Sequence, residues 1–220
     1  VVLFSPVQRE QLKRSFYLIV FPLIAWAIWQ FVTGQGIPHP WNVSISEGRR
    51  ATGPYPFPNA LALFIAPIVS LGIAEWIQTP KKTFPLVTAI AGLIGILLAQ
   101  SQGALLGIAV ATSIMLLTKR WGRVMLVIGI VASALLLFVA PSLRQLVWQE
   151  VTFQGWSGKV RLIMWGGTWQ MLKAHWFTGA GFGGYPEVFD AFHKKRFIEI
   201  FQYPHTLLFN FWSETGLLGV

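Results

Sequence analysis

Long apolar stretches alternate with short polar connections along most of the chain. A bilayer hydrocarbon core about 30 Å thick is crossed by about 20 apolar residues in a helix, with some tolerance for shorter runs. Five stretches meet this requirement, and a sixth begins near Thr206. The five predicted spans are residues 16–32, 59–78, 84–100, 103–117 and 123–140. The pattern therefore predicts an all-α protein, a polytopic transmembrane helix bundle.

A long amphipathic region, residues 141–205, separates the fifth stretch from the sixth. Apolar residues recur at helical spacing from Leu162 to Leu172, which predicts a helix over residues 160–175. A second helix is predicted over residues 186–200. We expect a large, partly helical loop outside the membrane, with its aromatic side chains at the depth of the lipid headgroups.

The composition indicates lipid rather than water as the surrounding medium. Hydrophobic residues make up 54% of the 220 residues and charged residues only 11%, whereas soluble domains carry about 25% charged residues. The absence of cysteine excludes disulfides and thiolate metal sites. The net charge of +9 does not indicate nucleic-acid binding, because the basic residues lie mostly in clusters between apolar stretches. It suits contact with anionic lipid or a phosphorylated lipid substrate.

The basic clusters predict the orientation of the chain. One side of the bundle has eight basic residues in the flank 1–15 and in two connections: Arg9, Lys13, Arg14, Lys81, Lys82, Lys119, Arg120 and Arg123. The short loops on the other side carry only Arg49 and Arg50. By the positive-inside rule, the first side is cytoplasmic and residues 141–205 lie outside.

Both ends of the sequence fall inside larger patterns. It begins at Val1 without a signal-peptide pattern and stops at Val220 within an apolar stretch. We expect an internal fragment of a longer protein, with residues 206–220 as the start of a sixth span.

The first outer loop, residues 33–58, is rich in glycine and proline. Its segment from Pro54 to Pro58 excludes a regular helix, because each proline removes a donor and restricts the residue before it. The side chain of Asn59 is expected to cap the helix that follows.

Two residues of the large loop could carry chemistry. His205 lies where the loop returns to the membrane, and an imidazole there can act as a general base. Alternatively, it only caps or hydrogen-bonds the start of the next helix. Arg161 lies at the start of the first loop helix, and its guanidinium suits a phosphate or diphosphate. Alternatively, it is an interfacial arginine that snorkels.

Other polar residues have simpler explanations. Glu214 lies in an apolar stretch, where an ionisable group is costly and suggests function, although it could pair with a structural arginine. Pairing with Lys81 or Lys82 explains Glu75. The basic run 194–196 is most simply a solvated or headgroup-facing surface, and attraction of an anionic lipid-linked substrate is a weaker alternative.

A nucleotide or metal site is not expected. The run from Gly179 to Gly184 resembles a phosphate loop only in composition, since no strand precedes it and no Gly-Lys-Ser/Thr follows it. The sequence has no aspartate-rich or histidine-rich cluster that would bind a metal.

The end of the chain carries the most specific motif. It reads Tyr203-Pro204-His205-Thr206, then an apolar run, then Glu214-Thr215-Gly216-Leu217-Leu218-Gly219. This order resembles the His-Asn/Thr and Glu-x-Gly-x-x-Gly signature of the bacterial O-antigen ligase and polymerase family. Weaker similarities extend the resemblance over residues 49–220. They are Arg161 with Trp165, His175-Trp176-Phe177-Thr178-Gly179-Ala180-Gly181-Phe182-Gly183, Pro58-Asn59-Ala60 and Gln100-Ser101-Gln102-Gly103-Ala104.

The resemblance implies a metal-independent glycosyltransferase of the inner (cytoplasmic) membrane that needs no cofactor. Such an enzyme moves a glycan from an undecaprenyl-diphosphate carrier to an acceptor hydroxyl on a glycan, lipid or protein. The resemblance implies that Arg161 holds the diphosphate and that His205 orients or deprotonates the acceptor. Glu214 would support the site.

The chain departs from the family at two positions. Trp176 stands where the family usually has proline. Gln102 stands where many members have an arginine that helps to bind the diphosphate. Arg49 or Arg50 could replace that contact, and Asn59 and Gln102 are expected to support the site.

A multi-spanning transporter is the alternative function, and an inactive fragment is a third. A transporter should carry ionisable residues near the bilayer midplane, often on broken helices. The predicted spans are charged only near their ends, which favours the enzyme.

Overall fold

A computed structural model describes residues 5–193 and 202–220 of the chain. Every regular element within those residues is helical and none is a strand, so the predicted all-α class is confirmed. The chain divides into two compact units, Val1–Ala132 and Ser133–Val220.

The first unit contains the apolar helices. They are α1 (Pro6–Thr33), α2 (Pro58–Gln78), α3 (Thr83–Leu98), α4 (Gln102–Leu117) and α5 (Arg120–Val139), which continues into the second unit. Among the described residues, α1, α2 and α5 are long and apolar enough to cross a membrane, whereas α3 and α4 are shorter apolar helices. Each of the five predicted spans overlaps one of these helices. Helix α1 extends beyond the predicted span 16–32 into the N-terminal flank, where Ser5 and Gln8 form a capping box around its first turn.

The core of the first unit lies between α1, α2 and α3. Val20 of α1 and Ile65 and Val69 of α2 are fully buried. They face Gly92 of α3, where an added methyl group would collide with Val69 and lie 2.9 Å from Cγ2 of Ile65. The missing side chain therefore lets α3 pack closely against the other two helices, as small residues do in membrane bundles.

Helix α5 has a different environment. Gly122 is its one buried residue, and most of its apolar side chains are exposed, as Phe138 is over 78% of its surface. Water does not favour such a surface, whereas lipid does.

Gln30 holds the first loop against α1. Its amide nitrogen donates to the carbonyl oxygens of Gly36 (2.7 Å) and Gly53 (3.0 Å), and its amide oxygen accepts from the backbone N–H groups of Thr52 (3.0 Å) and Gly53 (2.7 Å). Because Gln30 is fully buried, these bonds offset the cost of removing its amide from water.

The described residues of the second unit form four further α-helices with a small core. They are α6 (Pro141–Val151), α7 (Trp156–Ala174), α8 (Tyr185–Asp190) and α9 (Leu207–Thr215). Met171 and Leu172 of α7 pack with Tyr185 and Phe189 of α8. The hydroxyl groups of Thr168 and Tyr185, both fully buried, are 2.8 Å apart and satisfy each other.

Several local expectations differ from the structure. The expected cap by Asn59 is not formed: α2 begins at Pro58, and Phe57 precedes it without a side-chain bond. Helix α6 has no counterpart in the predicted helices. Helix α9 ends at Thr215 because Gly216 is not helical, with φ 68° and ψ −169°. The basic run 194–196 lies outside the described residues.

We predict that Gly92→Ala lowers the free energy of unfolding by about 1–3 kcal/mol, because the new methyl group overpacks a buried contact. Gly107→Ala on α4 is the matched control, since nothing lies within 4 Å of its added methyl group. The control should be unchanged or more stable by up to about 1 kcal/mol. Thermal unfolding in detergent measures both variants. Equal stability of the two would contradict the described packing of α3.

Candidate functional site

One face of α7 positions His205 next to Arg161. Arg161 and Trp165 are one turn apart and therefore share a face of the helix. The indole Nε1 of Trp165 donates to the carbonyl oxygen of Pro204 at 2.8 Å. This bond fixes the backbone immediately before His205, and the charge of Arg161 is close enough to act on the imidazole. The structure thus joins two predicted site residues that are far apart along the chain.

The backbone of His205 is held in an uncommon conformation. Its φ is 55°, in the left-handed region where histidine is enriched relative to most residues. Thr206 follows and caps α9, since its side chain accepts from the N–H of Phe209 at 3.2 Å. The cap of α9 is therefore Thr206 and not His205. The ring of Tyr203 contacts the imidazole edge-on, with centroids 4.7 Å apart.

The surroundings of His205 favour its neutral form. Burial, followed by the positive charge of Arg161, lowers the pKa of the His205 imidazole below its usual value. Because the ordinary value is already near 6.5, the ring is mostly neutral at pH 7. Part of the side chain remains exposed. A neutral, reachable imidazole can accept a proton.

Arg161 is half-buried. Within residues 5–193 and 202–220 it makes no hydrogen bond and no ion pair. A guanidinium offers five N–H donors in a planar fork that matches a carboxylate or phosphate. A partly buried cation with these donors unused is well suited to bind an anion.

Glu214 is less closely tied to this pair. It lies on α9 and is half-buried. In the part of the chain that the structure describes, its carboxylate has no hydrogen bond and no arginine partner. The structure therefore joins Arg161 and His205 by their interaction, and does not join Glu214 to them.

The glycine-rich run that follows α7 packs against the end of α9. The N–H of Ala180 donates to the carbonyl oxygen of Ser213 at 2.6 Å, and the N–H of Leu217 donates to that of Phe177 at 3.2 Å. An added methyl group at Gly179 would lie 2.6 Å from the Ser213 oxygen, and one at Gly216 would collide with the Phe177 oxygen. These glycines therefore allow two backbones to meet.

A second group of predicted site residues surrounds Arg50 in the first unit. Its Nε donates to the carbonyl oxygen of Ala99 (2.9 Å), and its Nη2 donates to Oδ1 of Asn59 (3.0 Å) and to the carbonyl oxygen of Gln100 (3.3 Å). The guanidinium also lies over the ring of Trp41 at 5.0 Å. Arg50 therefore joins the start of α2 to the connection between α3 and α4.

Arg49 has a comparable structural role. It donates to the carbonyl oxygens of Val43 (2.8 Å), Phe31 (2.9 Å) and Val32 (3.2 Å). The last two belong to the C-terminal turn of α1, whose carbonyl groups have no helical partner and favour a cation. Gln102 is exposed at the start of α4, and its side chain bonds to none of the described residues.

Sequence reasoning selected Arg161 and His205 but did not assign a role to Trp165 or Pro204. An indole N–H that is partly buried usually has a hydrogen-bond partner. That tendency could have indicated that Trp165 bonds to another part of the chain. No group of three histidine or acidic side chains that could hold a metal ion occurs among the described residues.

We predict that Gly216→Ala strongly destabilises the second unit. Its backbone lies in a region that is essentially restricted to glycine, and the added methyl group meets the Phe177 backbone. Gly181→Ala is the control, because φ is +82° there but nothing lies within 4 Å. The control should cost about 1–3 kcal/mol from its backbone alone, and Gly216→Ala about 1–3 kcal/mol more. Limited proteolysis with mass spectrometry reports cleavage within residues 141–220. Equal protection of both variants would refute the proposed contact.

Comparison with known proteins identifies the family. The family model described as O-antigen ligase matches residues 87–220, which is more than half of the chain. No curated protein and no solved structure matches the chain. The matched region includes Arg161, His205 and the glycines that join α7 and α9. The chain therefore belongs to the O-antigen ligase family, whose members are multi-pass membrane proteins with ligase- or glycosyltransferase-type activity.

Proposed function

We propose that this protein moves a glycan from an undecaprenyl-diphosphate carrier to an acceptor hydroxyl, with Arg161 and His205 as its reacting groups. One observation carries the proposal: a half-buried guanidinium without a protein partner among the described residues lies beside an imidazole that stays neutral. The first group suits a diphosphate and the second suits a hydroxyl proton. Together they match the leaving group and the acceptor of a glycosyl transfer.

The proposed reaction uses each group once. The acceptor oxygen forms a bond to the anomeric carbon while His205 takes its proton. The bond between that carbon and the diphosphate oxygen breaks, and undecaprenyl diphosphate leaves with the electron pair. Arg161 stabilises the negative charge that develops on the leaving group, and such fixed electrostatic contacts supply a large share of catalysis. The proton on His205 then returns to solvent or to the leaving group.

The other predicted residues have supporting roles in this proposal. Arg49 and Arg50 donate to backbone carbonyl groups. We therefore propose that they hold the first loop in place rather than bind the diphosphate. Asn59 positions Arg50. Gln102 is exposed two residues after Gln100, whose carbonyl oxygen accepts from Arg50. In this proposal its side chain contacts a substrate headgroup. Glu214 would support α9.

The proposed reaction also fixes an orientation. The basic clusters on one side of the predicted bundle favour a cytoplasmic location for the start of α1. Residues 141–205 would then face away from the cytoplasm, where a flipped lipid-linked glycan is presented. The inner membrane is the location that this substrate requires.

We predict that Arg161→Gln lowers glycan transfer by about 10²–10³-fold, the usual loss when one transition-state donor is removed. Arg161→Lys should recover only part of the rate, because an ammonium keeps the charge but not the fork. Transfer is measured with the protein in its native membrane, with lipid-linked glycan and acceptor supplied.

Arg144→Gln is the matched control for this experiment, since Arg144 is an exposed arginine on α6. It should retain full transfer at equal protein levels. Full transfer by Arg161→Gln would remove Arg161 from the mechanism.

We predict that His205→Gln lowers transfer by about 10²–10⁴-fold, because glutamine cannot take the acceptor proton. The lowered pKa of His205 keeps the base form dominant at pH 7. For the unsubstituted protein, kcat/KM should therefore be level above pH 7 and fall at acid pH, below the ordinary histidine value of about 6.5.

His39→Gln is the control, because His39 is exposed in the first loop. It should keep both the rate and the acid limb. The residual activity of His205→Gln should lack that limb. An unchanged pH profile in His205→Gln would exclude His205 as the base.

A further inference from the structure

A network of charged and hydroxyl groups ties the start of α1 to the end of α2. One carboxylate oxygen of Glu75 lies 3.1 Å from Nζ of Lys13 and accepts from the hydroxyl of Tyr17 at 2.9 Å. The other accepts from Nζ of Lys82 at 2.9 Å. The Glu75 side chain is only 14% exposed. Both lysines are therefore committed to neutralising a nearly buried charge.

An open groove of about 750 Å³ runs alongside this network, between α1 and the connection of α2 to α3. Its lining includes four cationic side chains, Lys13, Arg14, Lys81 and Lys82, and two carboxylates, those of Glu10 and Glu75. Glu10 pairs with Lys13 at 2.7 Å. Both carboxylates are thus paired with lysines, and the four cations give the groove a net positive charge.

Arg14 and Lys81 supply that net charge. Both are exposed, and neither has a hydrogen bond or an ion pair with any residue in 5–193 or 202–220. One comes from α1 and the other from the α2–α3 connection, and both line the same groove. An anion between them would contact two cations on separate elements, which a single surface lysine cannot offer.

The position of the groove along the helices indicates which anion. Helix α1 has 28 residues, and about 20 residues suffice to cross the hydrocarbon core. If its C-terminal end lies at one surface of that core, Arg14 lies near the other, at the depth of phospholipid phosphates. The apolar side chains of Phe84 and Pro85 line the same groove and provide a surface for the first part of the acyl chains.

We propose that this groove binds the headgroup of an anionic phospholipid in the leaflet that it faces, with Arg14 and Lys81 contacting the phosphate. Basic pockets between membrane helices bind anionic headgroups in this way. A free phosphate ion would use the two cations but not the apolar wall. The site lies in the first unit and does not depend on the roles proposed for Arg161 and His205.

The test titrates the detergent-purified chain with phosphatidylglycerol and, separately, with phosphatidylcholine, and counts bound lipid by native mass spectrometry. The expected result is a preference for phosphatidylglycerol. The double variant Arg14→Gln with Lys81→Gln should weaken its binding roughly tenfold to thirtyfold, since each cation near an anionic headgroup contributes a few-fold. The double variant Lys119→Gln with Arg123→Gln removes the same charge outside the groove and should bind as the unsubstituted chain does.

Three results of this titration would overturn the proposal. They are equal binding of the two lipids, undiminished phosphatidylglycerol binding by the groove variant, and full displacement of the lipid by inorganic phosphate at low millimolar concentration. The unsubstituted chain gives an independent check if the groove variant does not fold. Its phosphatidylglycerol binding must weaken as sodium chloride rises from 50 to 500 mM, because an exposed charge contact is screened, and no weakening would also overturn the proposal.

Discussion

Backbone carbonyl groups that lie outside regular helices need donors, and this constraint shapes both units. A helix satisfies its own backbone, but its last turn and the loops that follow do not, and in apolar surroundings water cannot replace the missing partner. Long side chains with N–H groups supply it here. Gln30 and Arg50 do so in the first unit, and the indoles of Trp165 and Trp212 do so in the second, where they donate to Pro204 and Trp176.

Arg161 differs from those residues in a way that gives it functional interest. Arg49 and Arg50 use their guanidinium groups on the protein itself. Arg161 lies on the same helix face as Trp165, whose indole donates to the Pro204 carbonyl oxygen. The donors of Arg161 itself have no acceptor in the described part of the chain. Because Trp165 already holds the turn that carries His205, Arg161 is not needed for that purpose. On this helix face, Trp165 therefore positions His205, and Arg161 remains available to bind an anion.

Sequence patterns predicted the large features because those depend on composition within a short window. Hydropathy indicated the apolar helices, and helical spacing indicated α7. The positions of Arg161 and His205 in the predicted outer loop indicated them as candidates, and the family resemblance then gave them roles in one reaction. Asn59 was misjudged, since its partner is Arg50 rather than the N-terminus of α2. The bond of Trp165 to Pro204 joins residues 39 positions apart, and no local pattern encodes such a contact. The close approach that excludes a side chain at Gly216 likewise comes from the Phe177 backbone, which is far away in the sequence.

The unused donors of Arg161 have a kinetic consequence under the proposed reaction. The group that they recognise, a diphosphate, is present in the loaded carrier and equally in the spent one. The spent carrier also bears the negative charge that develops on the leaving group, so Arg161 binds it at least as tightly as the loaded carrier and slows its dissociation. Departure of the empty lipid then becomes a candidate for the slowest step of turnover. In such an enzyme, the supply of flipped carrier and the removal of the spent one would set the rate of surface glycan assembly together.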